Sequence, residues 1–243
     1  MKKTLLALVL SGGLLASSSL LAQEVSIKIT NLTNATYFTP LLIAAHNKRT
    51  HLFQLGTEAS AHLQAMAEGG DTSGLISDVE AAGGQYVDNP AGGLLPPSGV
   101  AEAVIDVHGR HSRFLSVAAM LLPTNDGLVG LDGLRIPKKR GTYTYYLRGY
   151  DAGTEANDEI ITGGGMPNTP GIPAGPGGNA GVGGVSTVGP DHNPTVHIHR
   201  GVIGDDDPAG GPSDLDARVH TWQGPVAKLV IRITERDDDD YDD

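Results

Sequence analysis

Val104–Glu155 of the 243-residue chain reads VIDVHGRHSRFLSVAAMLLPTNDGLVGLDGLRIPKKRGTYTYYLRGYDAGTE. Arg113–Leu122 is nearly continuously apolar, the pattern of a buried central strand, and Pro123 ends it. Thr142–Tyr150 alternates instead, with Tyr143, Tyr145 and Leu147 on one face and Thr144, Tyr146 and Arg148 on the other. Each run delivers the chain into an aspartate-bearing loop, PTNDGLVGLDG after the first and DAGTE after the second, and Asp106 lies one strand upstream. Carboxylates gathered among Gly and Asn at one end of a sheet suit a hard cation such as Ca²⁺, which takes six to eight oxygen ligands. The competing reading is that turn aspartates only accept hydrogen bonds from nearby backbone amides.

Outward from this stretch the chain continues as strands. Val25–Thr30, Val100–Val107 and Val226–Thr234 have strand character, and Thr195–Val202 is a further candidate. Tyr37–Ala45 reads as a strand whose Pro40 marks an edge or a bulge. One helical excursion interrupts the series at about residues 58–82: AHLQAMAEGG ends at Gly69-Gly70, and a second short helix runs from Ser73 to Ala82. Residues 86–99 read as turns. Residues 163–190 are dominated by Gly and Pro without a three-residue period, which excludes collagen and predicts a long, mobile surface loop. The count is seven to eight strands, so the expected class is all-β, a β-sandwich over residues 23–236.

Lys2 and Lys3, a short apolar run and Leu20-Leu21-Ala22 predict a secretory signal peptide over residues 1–22, cleaved after Ala22. Export would place the mature chain outside the cell or in the periplasm. Its removal deletes two lysines and no acid and takes the formal charge from −11 to −13. Such acidity argues against nucleic acid or an anionic membrane as partner, and no later stretch is apolar enough for membrane insertion. With no cysteine there is no disulfide and no acylated anchor. Residues 237–243 form an acidic tail expected to be disordered by self-repulsion, either merely solubilising or weakly binding Ca²⁺ or a partner at raised effective concentration.

The stretch HSRFLSVAAMLLPTNDGLVGLDGL followed by YLRGYDAGTE resembles the N-terminal spondin domain. That family carries Pro-Ser-Pro-Asp, then Val-Gly-Val-Asp, then Tyr-Asp-Ala-Gly-Thr-Asp. Here stand Pro123-Thr124-Asn125-Asp126, Val129-Gly130-Leu131-Asp132 and Tyr150-Asp151-Ala152-Gly153-Thr154-Glu155. The segments LFQLGTEAS and AEGGDTSGL resemble the family's bacterial branch, and the similarity covers roughly residues 25–160. The resemblance implies a C2-like antiparallel β-sandwich with one Ca²⁺ at an end, held by Asp106, Asp126 and Asp151, and a role in adhesion to an extracellular protein or glycan. Asp132 is expected to shape its loop and not to bind the ion. Gly127 stands where animal members have tryptophan, and their disulfides are absent.

Histidines offer a second constellation. His197 and His199 flank Ile198, and His220, His192, His108 and His111 are possible companions for Zn²⁺ or Cu²⁺, so a histidine-based metal protein using residues 192–220 is the alternative reading. A self-assembling surface subunit is a third. No zinc-protease, serine-elbow or phosphate-loop motif is present, so the sequence predicts no enzyme.

Overall fold

In the computed structural model the described residues are 23–107, 112–186 and 193–234. The expected leader 1–22, the tail 237–243, and His108, His111 and His192 lie outside them. Among the described residues ten strands form: β1 (Gln23–Asn31), β2 (Tyr37–Phe38), β3 (Leu42–His46), β4 (Gln85–Asp88), β5 (Val100–Val107), β6 (Phe114–Leu122), β7 (Gly127–Arg135), β8 (Gly141–Asp151), β9 (His197–Ile198) and β10 (Ala227–Ile233). All pair antiparallel, in the order β4-β3-β6-β7-β8-β10-β1-β5, with β2 on β6 and β9 on β8. β8 joins the two layers: Arg148–Asp151 pairs with β7, while Gly141–Leu147 pairs with β10. The expected all-β sandwich is therefore the fold.

Alternation explains the core. Val25, Ile27 and Ile29 of β1 meet Leu229, Ile231 and Ile233 of β10 and the odd-numbered residues Leu115, Val117, Ala119 and Leu121 of β6. The even-numbered Ala118, Met120 and Leu122 turn to the opposite face. There they are covered by Leu63, Met66 and Ala67 of α1 (Ala61–Gly69) and by Leu75 and Val79 of α2 (Ser73–Ala81). That is why β6 reads as an unbroken apolar run: helices cover one face and the second layer the other. Ser60 Oγ caps α1 by accepting from Leu63 N, and Gly70 closes it at φ 76°.

Several expectations change, the first being that the turn-rich residues 86–99 open with strand β4, paired to β3. Tyr37–Ala45 is broken at Pro40 into β2 and β3, and Thr195–Val202 contracts to two strand residues. PTNDGLVGLDG is not one loop, because Gly127–Arg135 is strand β7. Its glycines read as turn signals, yet a Cβ at Gly130 would lie 2.7 Å from the Phe53 ring, so glycine there makes room for a packed aromatic. Residues 163–186 are irregular as expected but anchored. Ile172 is fully buried against Val202 and Leu215, with Ile161 and Trp222 alongside, and its N–H donates to Ile160 O.

Candidate metal centre at one end of the sandwich

β7 begins and β8 ends at the same edge of the molecule, with Gly127 opposite Asp151. This register places Asp126 beside Asp151, and both are buried, at 0% and 1% exposure. Thr124 shapes the entry to β7: its Oγ1 donates to Leu121 O and accepts from Gly127 N. A Cβ on Gly127 would lie 2.5 Å from that Oγ1 and 3.1 Å from His199 Cδ2, so the tryptophan of the animal pattern has no room in this arrangement.

The two carboxylates are unequally satisfied. Asp151 Oδ1 accepts from Gly153 N at 2.8 Å and Oδ2 from Asn157 Nδ2 at 2.6 Å. Asp126 Oδ2 accepts from Thr154 N, Thr154 Oγ1 and Glu155 N at 2.7, 3.2 and 3.1 Å. Asp126 Oδ1 is buried with no partner. Burial, and then the neighbouring Asp151, push the Asp126 carboxyl up to about 6, against the amide donors that favour its ionised form. Glu155 adds a third carboxyl: its Oε1 is also buried and unpartnered, and desolvation raises it to about 7. Two buried carboxylates side by side cannot both ionise cheaply unless a cation compensates.

Asp106 is not brought to this pair. It sits exposed on β5 opposite Glu24, next to the rung where Val25 faces Ile233, and Ile233 in turn faces Gly141 at the start of β8. Asp151 lies ten residues further along β8, about 33 Å at strand rise. The trio implied by the resemblance is thus split between opposite ends of the sandwich, because β5 runs antiparallel to β8. Among the described residues no three His, Asp or Glu side chains converge as a metal cage. Asp132 does shape its surroundings: it accepts from Leu52 N, His51 Nδ1 and Ser116 Oγ.

The described histidines form no metal cage either. His197 Nδ1 donates to Thr195 O at 2.8 Å, leaving Nε2 3.7 Å from Asp151 Oδ2. His199 Nδ1 accepts from Gly201 N, and His220 Nδ1 accepts from Asp216 N. In a neutral ring that puts the proton on Nε2, so neither Nε2 offers a lone pair to a metal. Both Nε2 atoms are buried without partners, and burial lowers both rings, His199 to about 4. His199 instead packs against Trp222 in a tilted ring contact, with centroids 5.1 Å apart and planes at 41°.

The signal for Glu155 lay within the DAGTE element itself. Glu159 had no local motif, yet it ties the end together: its carboxylate accepts from Ile203 N, Gly204 N and Ser213 Oγ at 2.7–2.8 Å.

Residues 30–169 match the Spondin_N family model, a span that includes Asp106, Asp126, Asp151 and Glu155 but not His197, His199 or His220. Spondin-2 of Rattus norvegicus is 31% identical over 123 residues, which cover 48% of this chain and 37% of that protein. The chain thus spans well under two thirds of that relative's length.

Proposed function

The chain belongs to the Spondin_N family, and we propose that it acts as a secreted, non-enzymatic Ca²⁺-binding module whose ion-bound end engages an extracellular protein or glycan. The observation that carries this reading is the unpartnered, buried Oδ1 of Asp126 beside the buried Asp151. These residues fit the ion: Asp126 and Asp151 are hard anionic donors, and Glu155 is a third carboxyl close enough to feel the charge of Asp126. Bound Ca²⁺ would supply positive charge that lets both aspartates ionise. The chain's own residues then do the organising. Asp126 Oδ2 holds Thr154 and Glu155, Asp151 holds Gly153 and Asn157, and Glu159 holds residues 203–213. The end of the sandwich becomes one stiff surface. Secretion rests on the leader-like residues 1–22, and no helix among the described residues is long and apolar enough to cross a membrane.

Calorimetric titration of the mature chain with Ca²⁺ tests the proposal. Binding in the micromolar to millimolar range, abolished by Asp126→Asn with Asp151→Asn, is expected. No heat and no change of melting temperature with Ca²⁺ would overturn it.

A further inference from the structure

At the end of the sandwich far from Asp126 and Asp151, the β7–β8 hairpin carries Arg135, Lys138, Lys139 and Arg140 with no acid among them. Four of the chain's 17 Lys and Arg therefore fall within six residues of a molecule whose formal charge is −11. All four are exposed, and none forms an ion pair among the described residues. The loop backbone beneath them is held. Ile136 is buried and its N–H donates to Arg113 O at 3.0 Å, while Tyr143 Oη donates to Lys139 O at 2.9 Å. The cations are thus displayed on a fixed platform with nothing on the platform to neutralise them.

The same end is where β10 stops. Ile233 faces Gly141, the residue after Arg140, so the chain leaves its last strand one rung from the basic loop. Beyond Thr234 the sequence runs ERDDDDYDD, residues 235–243, with a formal charge of −6 from seven acids and one arginine. Nine residues reach about 30 Å when extended, several times the distance to the loop. Adjacent strands are about 4.8 Å apart, inside the Debye length of about 8 Å at physiological salt. Direction is biased too. On the other side of β10, β1 and β5 present the exposed acids Glu24 and Asp106, which repel the segment, while β8 leads to the cations.

We propose that the acidic segment 235–243 docks on the basic β7–β8 loop of its own chain. It acts as a tethered polyanion, and an external polyanion such as a sulfated glycan must displace it to use that loop. Tethering sets an effective concentration in the millimolar range, so even a weak pairing is populated. This surface lies about 33 Å from the carboxylate pair and does not depend on Ca²⁺.

The test uses the full mature chain in chelator, so that Ca²⁺ on the tail plays no part. Zero-length carbodiimide coupling and then peptide mapping should join carboxylates of residues 237–243 to Lys138 or Lys139. Yields should exceed those to Lys28, Lys48 and Lys228 by about fivefold or more, and fall in 0.5 M NaCl, where the Debye length is about 4 Å. The variant D237N/D238N/D239N/D240N should lose the coupling and be cut by trypsin after Lys138–Arg140 several-fold faster. It should also bind a fluorescent heparin oligosaccharide about tenfold more tightly than the unmodified chain. Even coupling across all five lysines would overturn the proposal. So would equal trypsin rates, or equal oligosaccharide affinity in the two proteins, which would leave the loop to external polyanions alone.

Discussion

β8 carries both kinds of charge. At its last residue Asp151 lies with Asp126 out of water, while before its first residue Arg135, Lys138, Lys139 and Arg140 stand in solvent. Like charges gather at both ends, but only the buried end has to resolve them locally. Asp126 and Asp151 are recruited into backbone and carboxamide bonds, and the remainder shows as a raised carboxyl and an orphaned oxygen. The exposed cations are solvated and screened, so their behaviour is set by salt and by whatever polyanion is close. Burial therefore makes one end sensitive to pH, and exposure makes the other sensitive to ionic strength.

The contrast can be broken by loosening the packing that encloses the carboxylate end. Ile172→Ala removes the buried anchor shared with Val202 and Leu215 and should cost about 3 kcal/mol by urea unfolding, with Ca²⁺ affinity falling alongside. Unchanged stability would mean that the segment 163–186 is not held by this contact. Next in size, a hundredfold excess of Ca²⁺ over its dissociation constant should stabilise the unmodified protein by about 2.7 kcal/mol. Asp126→Asn should abolish that gain and leave the ion-free protein as stable as before or more so, because a buried charge without compensation is gone. Differential scanning calorimetry with Ca²⁺ and with chelator reads both.

The pH dependence sharpens the same point. Asp126 is raised to about 6 from an ordinary 3.8, so the folded chain holds a proton that the unfolded chain has released. Without metal, the associated stability is present below pH 4 and is lost as pH rises through about 6. Ca²⁺ needs the ionised form, so its affinity should fall about tenfold per pH unit below 6 and level off above it. An affinity flat from pH 5 to 7 would remove Asp126 from the site. Glu155→Gln should weaken binding only a few-fold, since Glu155 flanks the pair and contributes charge. Smallest of all, Asp106→Asn should leave the Ca²⁺ response unchanged. A loss there equal to that of Asp126→Asn would contradict the strand order of the sandwich.

Much of this is legible in the residues alone. The unbroken apolar run of β6, the alternation of β1, β8 and β10 and the glycine stops of the helical excursion are local signals with local causes. β7 is hidden because Gly127, Gly130 and Gly133 lower its strand propensity, and Gly130 is glycine for the sake of a neighbour distant in sequence, Phe53, while Gly127 makes room first for the nearby Thr124 Oγ1 and then for His199. At the site, Asp126 and Asp151 are legible as an aspartate pair at the ends of two strands. Asp106 is misplaced because the family pattern carries residue types, whereas the end of the sheet an acid occupies depends on strand direction. The KKR run is visible as charge, but its relation to the acidic segment needs the register of Ile233 on Gly141.

The sequence by itself determined the class of the fold, its family and the chemistry of the candidate ligands, because periodicity and residue type are properties of short segments. Only the tertiary structure decided which acids share one end, which carboxyl is left without a partner, and that the last strand stops beside the basic loop. These depend on antiparallel neighbours far apart in the chain, and on the desolvation that their packing imposes.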